Sequence, residues 1–428
     1  MLTTINHIRN MIHGLDTLVE LNNGSKVPAI NLDNAATTPP FKKVMEEIDK
    51  QLLLYGSIGR GKGQKSEHST EVYVNGRNKI KSFLGAASSD YTAIYTECTT
   101  DGLNKLASAL IESPEDIVLT TRMEHHANDL PWRERANTVY AEVDKYGRLI
   151  VEDIERLLGA HNGKIKYVCV TAASNVTGYV NDIHCIARTA HKYGAKIIVD
   201  GAQIVAHRAV NLLGRCPDES IDFFVFSAHK MYSPFGIGAI VGLKSILDKH
   251  IPKFYGGGMV DAVHDDEVCY ANVPDSYEAG SPNYPGIVGM LKAIEILQAI
   301  GFGYIRRCEQ YLIRRTINGL RRIPGVTLYG DCKNIGDRVG VIPFNIKGYT
   351  PKEAADYLAG NCAIAVRHGA FCAHPYVSRL AEGPAGECDP PVGMVRASFG
   401  IYTCQVDVDK FLTAVAAMAS EVAGEYAG

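Results

Sequence analysis

The chain of 428 residues lacks the features that mark several large protein classes. It has no apolar run of the ~18 residues that a membrane-spanning helix needs. Its first stretch, Met1 to Gly14, mixes polar and apolar side chains with no continuous apolar segment, so no secretory leader is expected. It has no CxxC pair. Its eleven cysteines are dispersed and odd in number, which predicts free thiols in a reducing compartment, the cytoplasm, rather than a disulfide framework. It has no Lys/Arg-rich block, and its net charge is −3, which argues against a nucleic-acid partner. Internal repeats and low-complexity tracts are absent too. What remains is ordinary for a globular protein, with 46% hydrophobic and 21% charged residues in a chain long enough for more than one core.

Through the middle of the chain, short apolar runs alternate with amphipathic stretches. Strands are expected at Tyr91–Tyr95, Asp116–Thr120, Thr138–Ala141, Ile165–Thr171, Lys196–Asp200, Phe223–Ser227 and Gly238–Gly242. Helical patterns at Asp101–Ile111, Val151–Gly159 and Asn181–His191 lie between them. This alternation implies βαβ crossovers and a mostly parallel sheet. From about Gly286 the pattern changes to two long helical stretches, then short strands near Val326–Tyr329, Gly340–Asn345 and Met394–Ser398 with helices at Pro351–Gly360 and Val408–Glu425. The expected organisation is an α/β fold with a large domain over residues 31–285 and a smaller α+β domain over 286–428. Residues 1–30 are expected to pack with the small domain or with a partner subunit.

The strongest chemical signal runs from Ile197 to Lys230. One apolar strand ends in Asp200-Gly201-Ala202-Gln203, and the next ends in Ser227-Ala228-His229-Lys230. Ligands of open α/β sheets bind at the carboxyl ends of strands, so these residues should share one crevice. Singly, Asp200 could be a helix cap and Lys230 a surface lysine. Jointly they supply what pyridoxal phosphate (PLP) requires, a lysine for a Schiff base and a carboxylate that keeps the pyridine nitrogen protonated. Thr99-Thr100 follows a strand and opens a helix, and the free N–H groups of a helix N-terminus suit a phosphate.

Several ordered motifs strengthen this reading. They are Leu32-Asp33-Asn34-Ala35-Ala36-Thr37-Thr38, Thr99-Thr100-Asp101-Gly102-Leu103-Asn104, Met123-Glu124-His125-His126-Ala127-Asn128, Ser174-Asn175-Val176-Thr177-Gly178, the two strand ends just named, Glu278-Ala279-Gly280-Ser281-Pro282-Asn283, Arg367-His368-Gly369-Ala370-Phe371-Cys372-Ala373 and Val395-Arg396-Ala397-Ser398-Phe399. With them the chain, from about Asn31 to Thr403, resembles class V, fold-type I (aspartate aminotransferase-like) PLP enzymes, most closely the Suf-type (group II) cysteine desulfurases. The resemblance implies that Lys230 carries PLP and moves protons, and that Asp200 pairs with the ring nitrogen. Gln203 would meet the ring hydroxyl, and His125 would stack on the ring. It assigns Thr100, Ser227 and His229 to the phosphate, with Ser281 reaching it from the partner subunit of a homodimer with shared active sites. Asn175 and Arg396 would grip the substrate carboxylate, and the Arg60 loop would approach the partner's site. No metal is assigned.

On this resemblance Cys372 decides the reaction. As nucleophile it would take sulfur from L-cysteine as a persulfide, release L-alanine and pass the sulfur to an acceptor protein. Arg367, His368 and His374 offer nearby groups to help form the thiolate, which is the reactive form. Cys362 is expected to be structural, and His126 an ordinary surface residue. Three departures bear on substrate fit. Ala370 and Phe371 stand where group II loops usually have two histidines, Gly59 stands where the family usually has histidine, and Ala381–Pro391 is a Gly/Pro-rich, lid-like segment. Two rivals stay within PLP chemistry and need no Cys372: a C–S lyase of the cystine or cysteine-sulfoxide type, and an epimerase-like class V enzyme. A more distant alternative is a PLP-binding scaffold without turnover.

Overall fold

The computed structural model describes residues 4–59, 61–382 and 393–425. Arg60, and most of the lid-like segment, lie outside the described residues.

Seven strands form the central sheet: β1 (Tyr91–Thr96), β2 (Ile117–Thr121), β3 (Asn137–Ala141), β4 (Ile165–Thr171), β5 (Lys196–Asp200), β6 (Phe223–Ser227) and β7 (Gly238–Leu243). Their spatial order is β1-β7-β6-β5-β4-β2-β3. The pairs from β3 across to β6 are parallel, and β7 runs antiparallel to both β1 and β6. Every residue of β6 is buried, as are Ile197 to Asp200 of β5. A strand covered on both faces reads as a continuous apolar run, which is why these two were legible to the residue.

The C-terminal part builds a second core around a four-stranded antiparallel sheet. Its strands are β8 (Val326–Leu328), β9 (Val341–Ile346), β10 (Arg367–Gly369) and β11 (Met394–Ser398), in the order β8-β9-β11-β10. The helices Phe302–Leu320, Pro351–Cys362 and Gln405–Glu425 carry the apolar side chains that cover it. Cys362 is one of the residues packed against this core. The N-terminal segment ties in here: Ile30–Asn31 pairs in parallel with Ile364–Ala365, and Arg9 bonds to Asp407 at 2.8 Å. Ile8 and Ile12 of the same segment are buried in the core of the large sheet.

Close approach at a strand end requires one glycine. A Cβ on Gly201, the residue after Asp200, would lie 2.0 Å from a ring atom of the fully buried Phe224. Overpacking of this kind costs about 1–3 kcal/mol. Gly201→Ala should therefore lower the urea midpoint of unfolding by that amount of stability; an unchanged midpoint would show that Phe224 moves aside freely.

Candidate active site

The carboxyl ends of β5 and β6 open into a cavity of about 380 Å³. Thr100, His125, Asn175, Asp200, Gln203, Ser227, His229, Lys230, Cys372 and Arg396 all line it, together with Thr99, Arg367 and Cys98, the last of which no sequence motif singled out. Ser281 is exposed and does not line it.

One end of the cavity is a polar cradle. The helix Thr99–Leu110 starts there, two residues earlier than expected, and Cys98 occupies the N-cap position without a side-chain capping bond. The Thr99 N–H donates to Ser227 Oγ at 2.7 Å, and the Thr99 and Ser227 hydroxyls are 2.7 Å apart. Helix N–H groups, two linked hydroxyls and the His229 ring make a setting for an anion. His229 is held down to about 4 by burial and then by Lys230.

At the floor, the buried Asp200 carboxyl accepts one hydrogen bond among the described residues, from the Ala202 N–H at 2.9 Å. Burial pushes its pKa up, and the Ala202 bond and nearby Lys230 pull it back. Burial pushes Lys230 down, with Asp200 opposing. A lysine poised toward its neutral form is the nucleophilic form. The imidazole of His125 accepts the Ala127 N–H on Nδ1 at 3.0 Å, and burial first, then Lys230, lowers it to about 3. It is neutral at pH 7 and presents a flat, uncharged ring. Gln203 donates to the Ala35 carbonyl at 2.8 Å, which fixes the side chain against the N-terminal segment.

Arg396 enters from β11. Its Nη2 pairs with Asp33 at 2.9 Å and its Nη1 donates to the Asn175 carbonyl at 3.0 Å, while the buried Nε has no partner among the described residues. Burial lowers its pKa and Asp33 offsets this. Arg367, with its Nη1 3.6 Å from Asp33, adds a second positive charge. Two guanidinium groups around one carboxylate leave one net positive charge at the cavity wall, which suits an incoming carboxylate. The Asn175 amide points elsewhere: it donates to the Phe371 carbonyl at 2.7 Å.

Cys372 stands on an unusual turn. The Ala373 N–H donates to the Ala370 carbonyl at 2.9 Å, and both central residues are left-handed, Phe371 at φ 53° and Cys372 at φ 54°. That is the dihedral pattern of a type I′ turn, normally served by Gly or Asn. For other residues it costs roughly 1–2 kcal/mol each. The turn buries the Phe371 ring 4.8 Å from the Arg396 guanidinium and leaves Cys372 exposed. Cys372 also borders an outer groove of about 550 Å³, lined by His126, Leu130, Glu134 and Arg135 among others. His126 is half-buried against the Cys372 loop, not an isolated surface residue.

These features place the chain in the class-V aminotransferase family, whose model matches residues 30–411; the chain belongs to that family. Within it, the similarity is to cysteine desulfurases. The chain is 34% identical over 397 residues to a probable cysteine desulfurase of Halalkalibacterium halodurans, covering 90% of this chain and 92% of that protein. It is 33% identical to a cysteine desulfurase of Haloferax volcanii, covering 91% and 89%. Among solved structures, the apo cysteine desulfurase of Thermococcus onnurineus superposes with a TM-score of 0.86 at 29% identity over 98% of this chain and 99% of that one. A cysteine desulfurase of Escherichia coli in an S-sulfonic acid form gives 0.82 at 26% identity, over 99% and 100%.

One buried group beneath the site was unassigned by sequence. The Glu124 carboxyl accepts from the Thr121 hydroxyl (2.6 Å), the Asn128 amide (2.7 Å) and the Thr171 N–H (3.1 Å). Burial, with a smaller push from Asp200, raises its pKa to about 8. The folded state thus keeps a proton that the unfolded chain releases near 4.5, so Glu124 costs stability increasingly from about pH 4.5 to about 8, and by a constant amount above that. The ceiling on that slope is ~1.4 kcal/mol per pH unit. Glu124→Gln should flatten the decline of the urea midpoint between pH 5 and 8; parallel profiles for the two proteins would contradict the assignment.

Proposed function

We propose that the chain is a PLP-dependent cysteine desulfurase that takes sulfur from L-cysteine as a persulfide on Cys372 and releases L-alanine. The observation that carries this reading is the position of the Cys372 thiol, on the wall of the same cavity as Lys230, Asp200 and Arg396. The similarity to proteins named cysteine desulfurase supports it.

The residues fit the cofactor. The Thr99–Ser227 cradle with Thr100 and His229 would hold its phosphate. The Asp200 carboxyl has room for a donor at the ring nitrogen, His125 offers a neutral ring face, and Lys230 is the amine for covalent attachment. Bound there, the cofactor supplies an electron sink for bonds at the substrate's α-carbon. The chain's own groups do the rest. Arg396 and Arg367 orient the substrate carboxylate, and Lys230 exchanges protons at the α-carbon. The Cys372 thiolate attacks the substrate sulfur: an S–S bond forms, the Cβ–S bond breaks, and the electron pair leaves with the carbon fragment, which is protonated to alanine. A sulfur-accepting protein reached through the outer groove would then take the terminal sulfur, and the cytoplasm is the compartment in which such thiols stay reduced.

A homodimer belongs to the same reading. Leu53 (73% exposed) and Tyr255 (64%) are large apolar side chains left uncovered, and Ser281 is exposed outside its own cavity, as a residue offered to a partner would be. Sedimentation should give a dimer; a fully active monomer would overturn the shared-site proposal.

The deciding experiment uses the cofactor-loaded protein. Borohydride reduction should fix the cofactor on the Lys230 peptide. Reaction with L-cysteine should add one sulfur to Cys372 and produce alanine, and Cys372→Ser should reduce alanine formation to background while cofactor binding persists. Substantial turnover by that variant, or pyruvate as the product, would replace the desulfurase reading with the lyase.

A further inference from the structure

The strained turn at Phe371–Cys372 needs restraint, and the restraint comes from a neighbour with no assigned role. We propose that His126 is the positioning residue for the Cys372 thiol, holding the left-handed turn that sets the sulfur between the inner cavity and the outer groove.

Three contacts converge on the turn from this one residue. The His126 backbone N–H donates to the Cys372 carbonyl at 2.7 Å. Its ring Nε2 accepts the N–H of His374, two residues after the thiol, at 3.4 Å. Its ring also packs edge-on against the His374 ring, with centroids 4.6 Å apart at 74°. The peptide groups flanking the nucleophile are thus gripped from one side, while the Asn175 amide holds the Phe371 carbonyl from the other. His374 begins the helix His374–Glu382, so its N–H would otherwise have no acceptor within that helix. Burial and His374 lower the His126 pKa, which keeps the ring neutral and its Nε2 free to accept. His126 lines the outer groove and Cys372 lines both cavities, so relaxation of the turn would carry the thiol away from the inner one.

A left-handed turn of two non-glycine residues relaxes when its anchors are cut. The thiol need move only about 1 Å for a reaction step to slow by about 100-fold. The kinetic arm of the test rests on the desulfurase reading, and the exchange arm does not. In the cofactor-loaded protein, His126→Ala removes both ring contacts and leaves the backbone bond to Cys372; it should speed hydrogen exchange of amides 371–374 and 376 by roughly tenfold, because a local opening becomes cheaper. It should lower kcat for alanine formation by about 10- to 100-fold with little change in KM, since Arg396 is untouched. His126→Gln, which keeps an acceptor at the reach of Nε2, should restore most of both. His374→Pro deletes both the N–H and the ring that His126 meets, at a helical position where proline is tolerated, and should reproduce the exchange effect without adding to His126→Ala in the double variant. Unchanged exchange and kcat in His126→Ala, or additive effects in the double variant, would overturn the proposal. If instead Cys372→Ser stays active while the exchange effects appear, the desulfurase reading fails and the positioning of the turn by His126 stands.

Discussion

A buried guanidinium joins the parts of this molecule. Arg396 projects from the small sheet, pairs with Asp33 of the N-terminal segment, donates to the Asn175 carbonyl of the large-sheet loop, and lies against the Phe371 ring of the cysteine turn. A charge this deep is tolerated only when it is paired and hydrogen-bonded. Segments separated by more than 200 residues must therefore meet at one point, since the Asp33 and Asn175 contacts span 363 and 221 positions. The same side chain lines the cavity, where with Arg367 it outweighs the charge of Asp33. The pairing that closes the fold and the positive charge on the cavity wall are properties of one side chain.

The central sheet was legible because its strands are buried on both faces. Lys196–Asp200 and Phe223–Ser227 end where expected, and the polar residues after each apolar run fall in one cavity. Helix starts were less legible. Thr99 at the first turn, capped by Cys98, begins the helix earlier than the expected Asp101, because a cysteine carries no capping signal. Three of the four strands of the small sheet were found within a residue or two, while Arg367–Gly369 was not expected as a strand, and the parallel pairing of Ile30–Asn31 with Ile364–Ala365 carries no local pattern.

The parts of the site that escaped the sequence depend on contacts between distant segments. Asp33 reads as one letter of a motif until Arg396 is folded against it. His126 reads as the duplicate of His125 until the loop 248 residues away brings His374 to its ring. Glu124 is one letter of the Met123–Asn128 motif in sequence, yet it ties the ends of β2 and β4 to the loop bearing His125. The Cys372 turn is a different case. Left-handed pairs are recognised by glycine or asparagine, and Ala370-Phe371-Cys372-Ala373 has neither, so no turn rule points to it.

That missing glycine has a physical consequence. Glycine at position 371 would relieve the backbone but remove the ring that covers Arg396, and glycine in general leaves a segment with more freedom to lose. Phenylalanine there accepts the strain and gains burial, at 8% exposure, against the guanidinium. The substitution of Ala370-Phe371 for a histidine pair therefore removes two proton carriers from the turn and replaces them with an apolar wedge. The ring nitrogens that remain near Cys372 lie outside the turn, on His125, which borders both cavities, and on His126 and His374, whose rings meet edge-on. Cys372 borders both cavities, so the turn presents one thiol to the inner and the outer side at once.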